Sequence, residues 1–129
     1  RGRADDVMLR WSEVREMSLS GLVEFHSHTH THRRWDCMAD IRNPQTLLHA
    51  DILLSRERMK EALGYCSQHL CWPEGWYSPD YIRVAQELGF TYLYTTERRM
   101  NNPVSGSLRI GRISTKERES VGWLKRRLF

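Results

Sequence analysis

Two places in the sequence join a side-chain cap to a proline, Asn43-Pro44 and Ser78-Pro79. Proline at the first helical position gives up only an N–H that a helix start leaves unpaired anyway. The Asn or Ser before it accepts a hydrogen bond from the first turn. Each start opens an apolar periodicity that stops at a glycine. Leu48, Ile52, Met59 and Leu63 lead to Gly64, and the second run reaches Leu88 before Gly89. Between and around these helices lie short segments with strand character. Leu22-Val23-Glu24-Phe25 reads as a strand and His69-Leu70-Cys71-Trp72 as a second. Residues 90–95, rich in aromatic and β-branched types, read as a third, and residues 108–113 as a fourth. A first helix is expected from an N-cap at Ser12 to about Ser20, stopped by Gly21, and a last one from about Lys116. Strands and helices alternating in short units predict an α/β fold of parallel βαβ units. In such sheets the loops beyond the C-terminal strand ends carry the chemistry.

Composition narrows the class. The 129 residues, 40% of them hydrophobic, suit a single domain, or part of one, spanning residues 1–129. Apolar runs such as Ile52-Leu53-Leu54 are far shorter than the roughly 20 residues needed to cross a bilayer, so no membrane span is expected. Arg1-Gly2-Arg3-Ala4-Asp5-Asp6 has no apolar run behind it and reads as a cut in a longer chain rather than a signal peptide. Bacterial cytoplasm and cell envelope both stay open. Cys37, Cys66 and Cys71 are odd in number and form no CxxC pair, which fits free thiols better than a disulfide framework or a cysteine zinc site. The net charge of +4 favours anionic partners. Much of it sits in Lys116, Arg118, Lys125, Arg126 and Arg127, which read as a solvated helix face. No nucleic-acid-binding motif accompanies it, and no nucleic-acid partner is expected.

Four of the six histidines fall within residues 26–32, in His26-Ser27-His28-Thr29-His30-Thr31-His32 at the end of the first expected strand. Imidazole is a good zinc ligand, and a catalytic zinc site wants about three protein ligands and an open position. If the backbone turns helical after the strand, residues four apart converge, which makes His28 and His32 the metal pair and turns His26 and His30 elsewhere. His49 and His69 read as hydrogen-bonded structural histidines. Asp36 and Asp40 follow the cluster closely and are candidates to fix the imidazole tautomers or to add a ligand.

These residues resemble the polysaccharide deacetylase family, also called the chitooligosaccharide deacetylase homology domain. His28-Thr29-His30-Thr31-His32 fits its His-[Ser/Thr]-x-x-His zinc motif. Cys71-Trp72-Pro73-Glu74-Gly75 is similar to its later Pro-x-Gly turn. The resemblance implies a distorted (β/α) barrel, of which this chain would be a C-terminal part. It implies zinc, or another divalent metal, held by His28, His32 and an aspartate, with a second aspartate as general base. It also implies an acetylated polysaccharide or oligosaccharide as substrate, and a backbone N–H near Glu74 that stabilises the oxyanion. Trp72, Pro73, Gly75, Trp76 and Tyr77 would line the sugar groove, flat rings being good partners for pyranose faces, although core packing accounts for the aromatics as well.

The departures are specific. The family's Asp-Asp motif, expected at the end of an earlier strand, has no counterpart. Asp5-Asp6 is the only acidic doublet and follows no apolar run. No histidine follows His69 to serve as the late general acid, and Cys71 and Trp72 stand where an arginine usually precedes the turn. The expectation is therefore a zinc-dependent carbohydrate deacetylase whose remaining groups lie outside this chain, leaving the chain weakly active or inactive. The alternative is a non-catalytic metal- or glycan-binding α/β module. Exposed strand edges of an incomplete barrel predict a homodimer.

Overall fold

Both cap-and-proline starts form helices. In the computed structural model, which describes residues 8–38, 41–116 and 118–128, helix α2 spans Pro44–Leu63 and α3 spans Pro79–Glu87. Asn43 accepts from the Thr46 N–H at 3.4 Å and Ser78 Oγ from the Tyr81 N–H at 3.2 Å. Gly64 ends α2 at φ 80°, its N–H returning to the Lys60 carbonyl at 2.8 Å. The left-handed conformation there explains why glycine holds this stop.

The remaining elements are helix α1 (Trp11–Leu19), strand β1 (His69–Cys71), strand β2 (Tyr92–Tyr94) and helix α4 (Val121–Leu128), with single turns of 3-10 helix at Trp35–Cys37, Pro73–Gly75 and Pro103–Ser105. β1 and β2 pair in parallel, Leu70 opposite Leu93. Single parallel bridges add Ser27 beside Leu70 on one side and Ile110 beside Tyr94 on the other. Four chain segments thus lie side by side in the order 27, β1, β2, 110, all running the same way, and the fold is α/β as expected.

Alternation sets which side chains reach the core. Leu70 and Leu93, neither with any exposed surface, face α2 and α3, where Leu48, Ile52, Tyr81, Val84 and Ala85 meet them together with Trp72 and Phe90. Replacing either central leucine by alanine removes about 2–5 kcal/mol of stability.

Four boundaries differ from expectation. α1 starts at Trp11, and its cap is Arg10, whose N–H donates to Glu13 Oε2 at 2.7 Å; Ser12 lies inside the helix. Residues 22–25 form no strand, and Leu22 is 89% exposed. The register explains it: Ser27 pairs with Leu70 near the start of β1, so residues upstream run past the end of their neighbour. The fourth segment makes a single bridge at Ile110, through its N–H to the Leu93 carbonyl and its carbonyl to the Thr95 N–H, with a further bond from the Arg112 N–H to the Glu97 carbonyl at 2.9 Å. The last helix begins at Val121 rather than near Lys116, and Ser120 caps it, its Oγ accepting from the Trp123 N–H at 3.2 Å. Among the described residues no helix is long and apolar enough to cross a membrane.

Candidate active site

Ser27 ties the histidine segment into the sheet, its N–H donating to the His69 carbonyl and its carbonyl accepting from the Cys71 N–H at 2.9 Å. His28, the next residue, emerges at the C-terminal strand end. Its Nδ1 lies 2.8 Å from the Cys71 carbonyl. A carbonyl only accepts, so Nδ1 carries the proton and the Nε2 lone pair is left to face a ligand.

The chain then reverses without becoming helical. Thr29 and His32 both sit at positive φ, 65° and 58°. The hairpin-like loop is closed by the His32 N–H on Thr29 Oγ1 at 3.2 Å. Buried beneath it, the Asp51 carboxylate on α2 accepts from the His30 N–H at 3.3 Å and the Thr31 N–H at 3.1 Å. One turn further along α2, Ser55 Oγ meets Ser27 Oγ at 2.8 Å. The result brings the His28 and His32 rings together, edge to face, with centroids 4.7 Å apart. A helical turn was expected to do this; two left-handed residues and a buried aspartate do it instead. Asp51 and Ser55 were missed because they look like ordinary helix residues. The available signal was their spacing, an acid and a hydroxyl on the same face as Leu48 and Ile52.

His26 turns away. Its Nδ1 lies 2.7 Å from Ser67 Oγ and its ring stacks on His69 at 4.6 Å. His69 in turn stacks on Tyr92 and meets the Tyr94 hydroxyl at 2.8 Å. Burial, and then the neighbouring His26, hold the His69 imidazole below its usual value. The exposed His30 joins His28, Trp11, Val14, Ser55 and Met59 in lining a cavity of about 410 Å³.

The second motif forms the turn Pro73–Gly75 just beyond β1. Glu74 takes φ 55° and Gly75 φ 72°. A Cβ on Gly75 would stand 2.1 Å from Thr96 Oγ1, so only glycine fits against the end of β2. The Gly75 and Trp76 N–H groups return to the Trp72 and Pro73 carbonyls at 2.9 and 3.1 Å. The Glu74 N–H has no such partner among the hydrogen bonds of the described residues. Trp72 is 1% exposed and belongs to the core. This corrects its assignment to a sugar groove, since a ring enclosed by Tyr81 and the α3 face has no free surface to stack on. Pro73 and Gly75 are buried as well and contribute the shape of the turn. Trp76 and Tyr77 keep partial exposure.

Arg34 crosses between the two motifs. It forms a two-pronged pair with Asp36 at 2.9 and 2.7 Å, reaches Glu74 Oε2 at 3.1 Å, and lies 4.4 Å over the Trp76 ring. The guanidinium hydrogen bond holds the Asp36 carboxyl below the ordinary aspartate value. The Asp36 N–H also donates to the Tyr81 hydroxyl at 3.1 Å. Burial, and then the Asp36 charge, push that phenol up to about 12. Asp36 is thus committed to Arg34 and Tyr81 rather than to an imidazole. Tyr77 donates to Glu97, which pairs with Arg109 at 3.1 Å, along the wall of a second cavity. Asp5, Asp6 and Asp40 lie outside the described residues. Among those described, no three His, Cys, Asp or Glu side chains converge as a metal site.

Residues 2–93 match the profile of the polysaccharide deacetylase family. No curated protein matches the chain. Among solved structures the fold is similar to a de-N-acetylase from Aggregatibacter actinomycetemcomitans, 22% identical with a TM-score of 0.82 over 95% of this chain and 54% of that one. It is similar to the deacetylase PplD of Streptococcus pyogenes, determined in complex with acetate, at 19% identity and a TM-score of 0.82 over 94% of this chain and 51% of that one. IcaB from Ammonifex degensii matches at 23% identity and a TM-score of 0.77, over 93% and 52%. The chain spans about half the length of these structures.

Proposed function

The chain belongs to the polysaccharide deacetylase family, and from that premise we propose that it supplies half of a metal site for removing N- or O-acetyl groups from a polysaccharide or oligosaccharide. The observation that carries this reading is the His28–His32 pair. One imidazole is fixed by the Cys71 carbonyl so that Nε2 is a free donor, and the second ring is held 4.7 Å away. A metal-ligating histidine characteristically donates its other N–H to such a carbonyl, so the donor set fits zinc or another divalent metal. A divalent ion held there supplies Lewis acidity, acidifying water and polarising a carbonyl.

The chain's own residues do the rest of what can be assigned. Asp51 holds the loop that presents His32, and the Pro73–Gly75 turn presents the Glu74 N–H as a donor to a developing oxyanion. Tyr77, beside that turn, offers aromatic surface to a sugar ring, and Trp76 adds only the face that Arg34 leaves open. The third ligand, the general base and the general acid come from outside the described residues.

A second reading, a metal- or glycan-binding module without catalysis, is favoured by the absence of a third converging ligand among the described residues. Acetate release from acetylated chito-oligosaccharide in added zinc separates the two. Turnover abolished by His28→Ala supports the hydrolase. Zinc-dependent binding of the oligosaccharide without acetate release supports the module.

A further inference from the structure

Arg34 lies two residues past His32 and forty before Glu74, and its guanidinium ties the segment that follows the histidine loop to the Pro73–Gly75 turn. Nε and Nη2 grip the two Asp36 oxygens, Nη1 reaches Glu74 Oε2, and the plane covers the Trp76 ring. Asp36 is itself anchored, its N–H donating to the buried Tyr81 of α3. The side chain is only 21% exposed. With Cys37 Sγ at 3.2 Å from Nη2, four partners from two separate segments, 36–37 and 74–76, therefore meet one planar cation. A fork and a flat face are both needed to satisfy them, which arginine has and lysine lacks.

What this cation steadies is an unusual backbone. Glu74 adopts φ 55° without being glycine. Residues in that region persist only where their surroundings over-determine them. Gly75 against Thr96 fixes one end of the turn. Arg34 fixes the other, through the Glu74 carboxylate and the Trp76 ring that follows.

We propose that Arg34 is a positioning residue, locking the amide of Glu74 at a set place relative to the His28–His32 pair. The assignment deepens the deacetylase reading and, for its role in the reaction, rests on it. Charge alone is not the mechanism, because Glu74 is 63% exposed and an ion pair in that setting contributes little by itself. The two-pronged Asp36 grip and the stacked ring give the cation its fixed direction.

Hydrogen exchange of the amides at residues 34–37 and 74–77, measured in wild type, Arg34→Met, Arg34→Lys and Glu74→Gln at matched global stability, tests the lock. Arg34→Met is expected to speed exchange in both segments about tenfold or more while the α2 and α3 amides keep their rates. Arg34→Lys is expected to behave like Arg34→Met. Glu74→Gln, which leaves the fork and the stack in place, is expected to loosen residues 74–77 only partly, and it keeps the test open if Arg34→Met fails to fold. Unchanged exchange at residues 74–77 in Arg34→Met, or full rescue by lysine, overturns the proposal. The second arm titrates acetate into zinc-loaded protein. Arg34→Met is expected to weaken acetate about tenfold while zinc affinity stays within about twofold, separating turn geometry from metal binding. Equal loss of both, or of neither, overturns the positioning role. Wild-type protein that binds no zinc would refute the metal reading above, and the exchange arm would still decide the lock.

Discussion

The Nδ1 of His28 donates to the main-chain oxygen of Cys71 across 2.8 Å, joining the histidine motif to the residue before the Trp-Pro-Glu-Gly turn. Two segments 43 residues apart are thereby set by one hydrogen bond, which also chooses the tautomer of the ring. Ser27 makes the geometry dependable, because its bonds to His69 and Cys71 place His28 one residue past a fixed sheet bridge.

Zinc binding is accordingly expected to depend on His28 and His32 and hardly on His26 or His30. Loss of a residue that merely orients a ligand typically weakens a metal about 10–100-fold, so loss of a ligand should exceed about tenfold. His26 is engaged with Ser67 and His69, and the loop uses His30 through its main chain. Metal analysis of dialysed alanine variants checks this. Equal loss from His26→Ala would refute the pairing.

Asp51→Asn should disturb the same loop from beneath. The aspartate faces two main-chain donors, and an amide placed there either turns an N–H toward another N–H or keeps only one acceptor. A cost of about 1–3 kcal/mol is expected, with weaker zinc binding and an intact His28 hydrogen bond. Chemical denaturation alongside histidine NMR measures both. A neutral effect on stability would mean that the loop does not lean on Asp51.

Gly75 and Gly21 provide a matched comparison, since both sit at φ 72°. A Cβ at Gly21 meets nothing within 4 Å, whereas at Gly75 it meets the Thr96 side chain at 2.1 Å. Gly21→Ala should show backbone strain alone. Gly75→Ala should be worse by about 1–3 kcal/mol, the usual cost of overpacking a site with no room to yield. Thermal unfolding of the two variants decides it, and equal shifts would show that Thr96 gives way.

How far the sequence was legible follows from which signals are local. Asn43-Pro44, Ser78-Pro79, Gly64 and Gly89 act on their own turns, and the helices they bound are where they were expected. Leu22-Val23-Glu24-Phe25 has strand composition, yet pairing needs a neighbour at the right register, and β1 begins too late to provide one. The pairing of His28 with His32 was readable from spacing, but the means was not. Positive φ at Thr29 and His32 depends on Asp51, which approaches from another element. Arg34 was invisible for the same reason, its partners being Glu74 and Trp76, forty residues and more away. Trp72 was ambiguous in sequence, and only the packing of α3 over β1 placed it in the core.

Acid is expected to weaken the fold through His69. Its folded-state value is lowered by burial and by His26, so the native protein binds fewer protons than the unfolded chain. Stability is therefore full above the unfolded imidazole value, near 6.5, and declines as pH falls from there toward the lower folded value. His69→Gln should flatten that part of the stability–pH curve. Denaturation midpoints between pH 5 and 7.5 are the measurement, and an unchanged slope in the variant would assign the acid sensitivity elsewhere.

Metal affinity is the sharpest expectation, and it follows from counting donors. Two imidazoles leave at least two positions of a tetrahedral zinc to water, without the charged ligand that a carboxylate provides. Asp36, the nearest acid after the loop, is held at both oxygens by Arg34, so recruiting it would break a two-pronged ion pair and free an arginine beside a cation. Zinc titrated calorimetrically into metal-free protein should therefore bind no tighter than micromolar. Asp36→Asn should leave that affinity within about twofold, because a carboxylate already committed to a guanidinium has little to give the ion. Nanomolar binding by a monomer would refute the two-donor site. Loss of such binding in Asp36→Asn would then identify Asp36 as the third ligand and show that Arg34 releases it when the metal arrives.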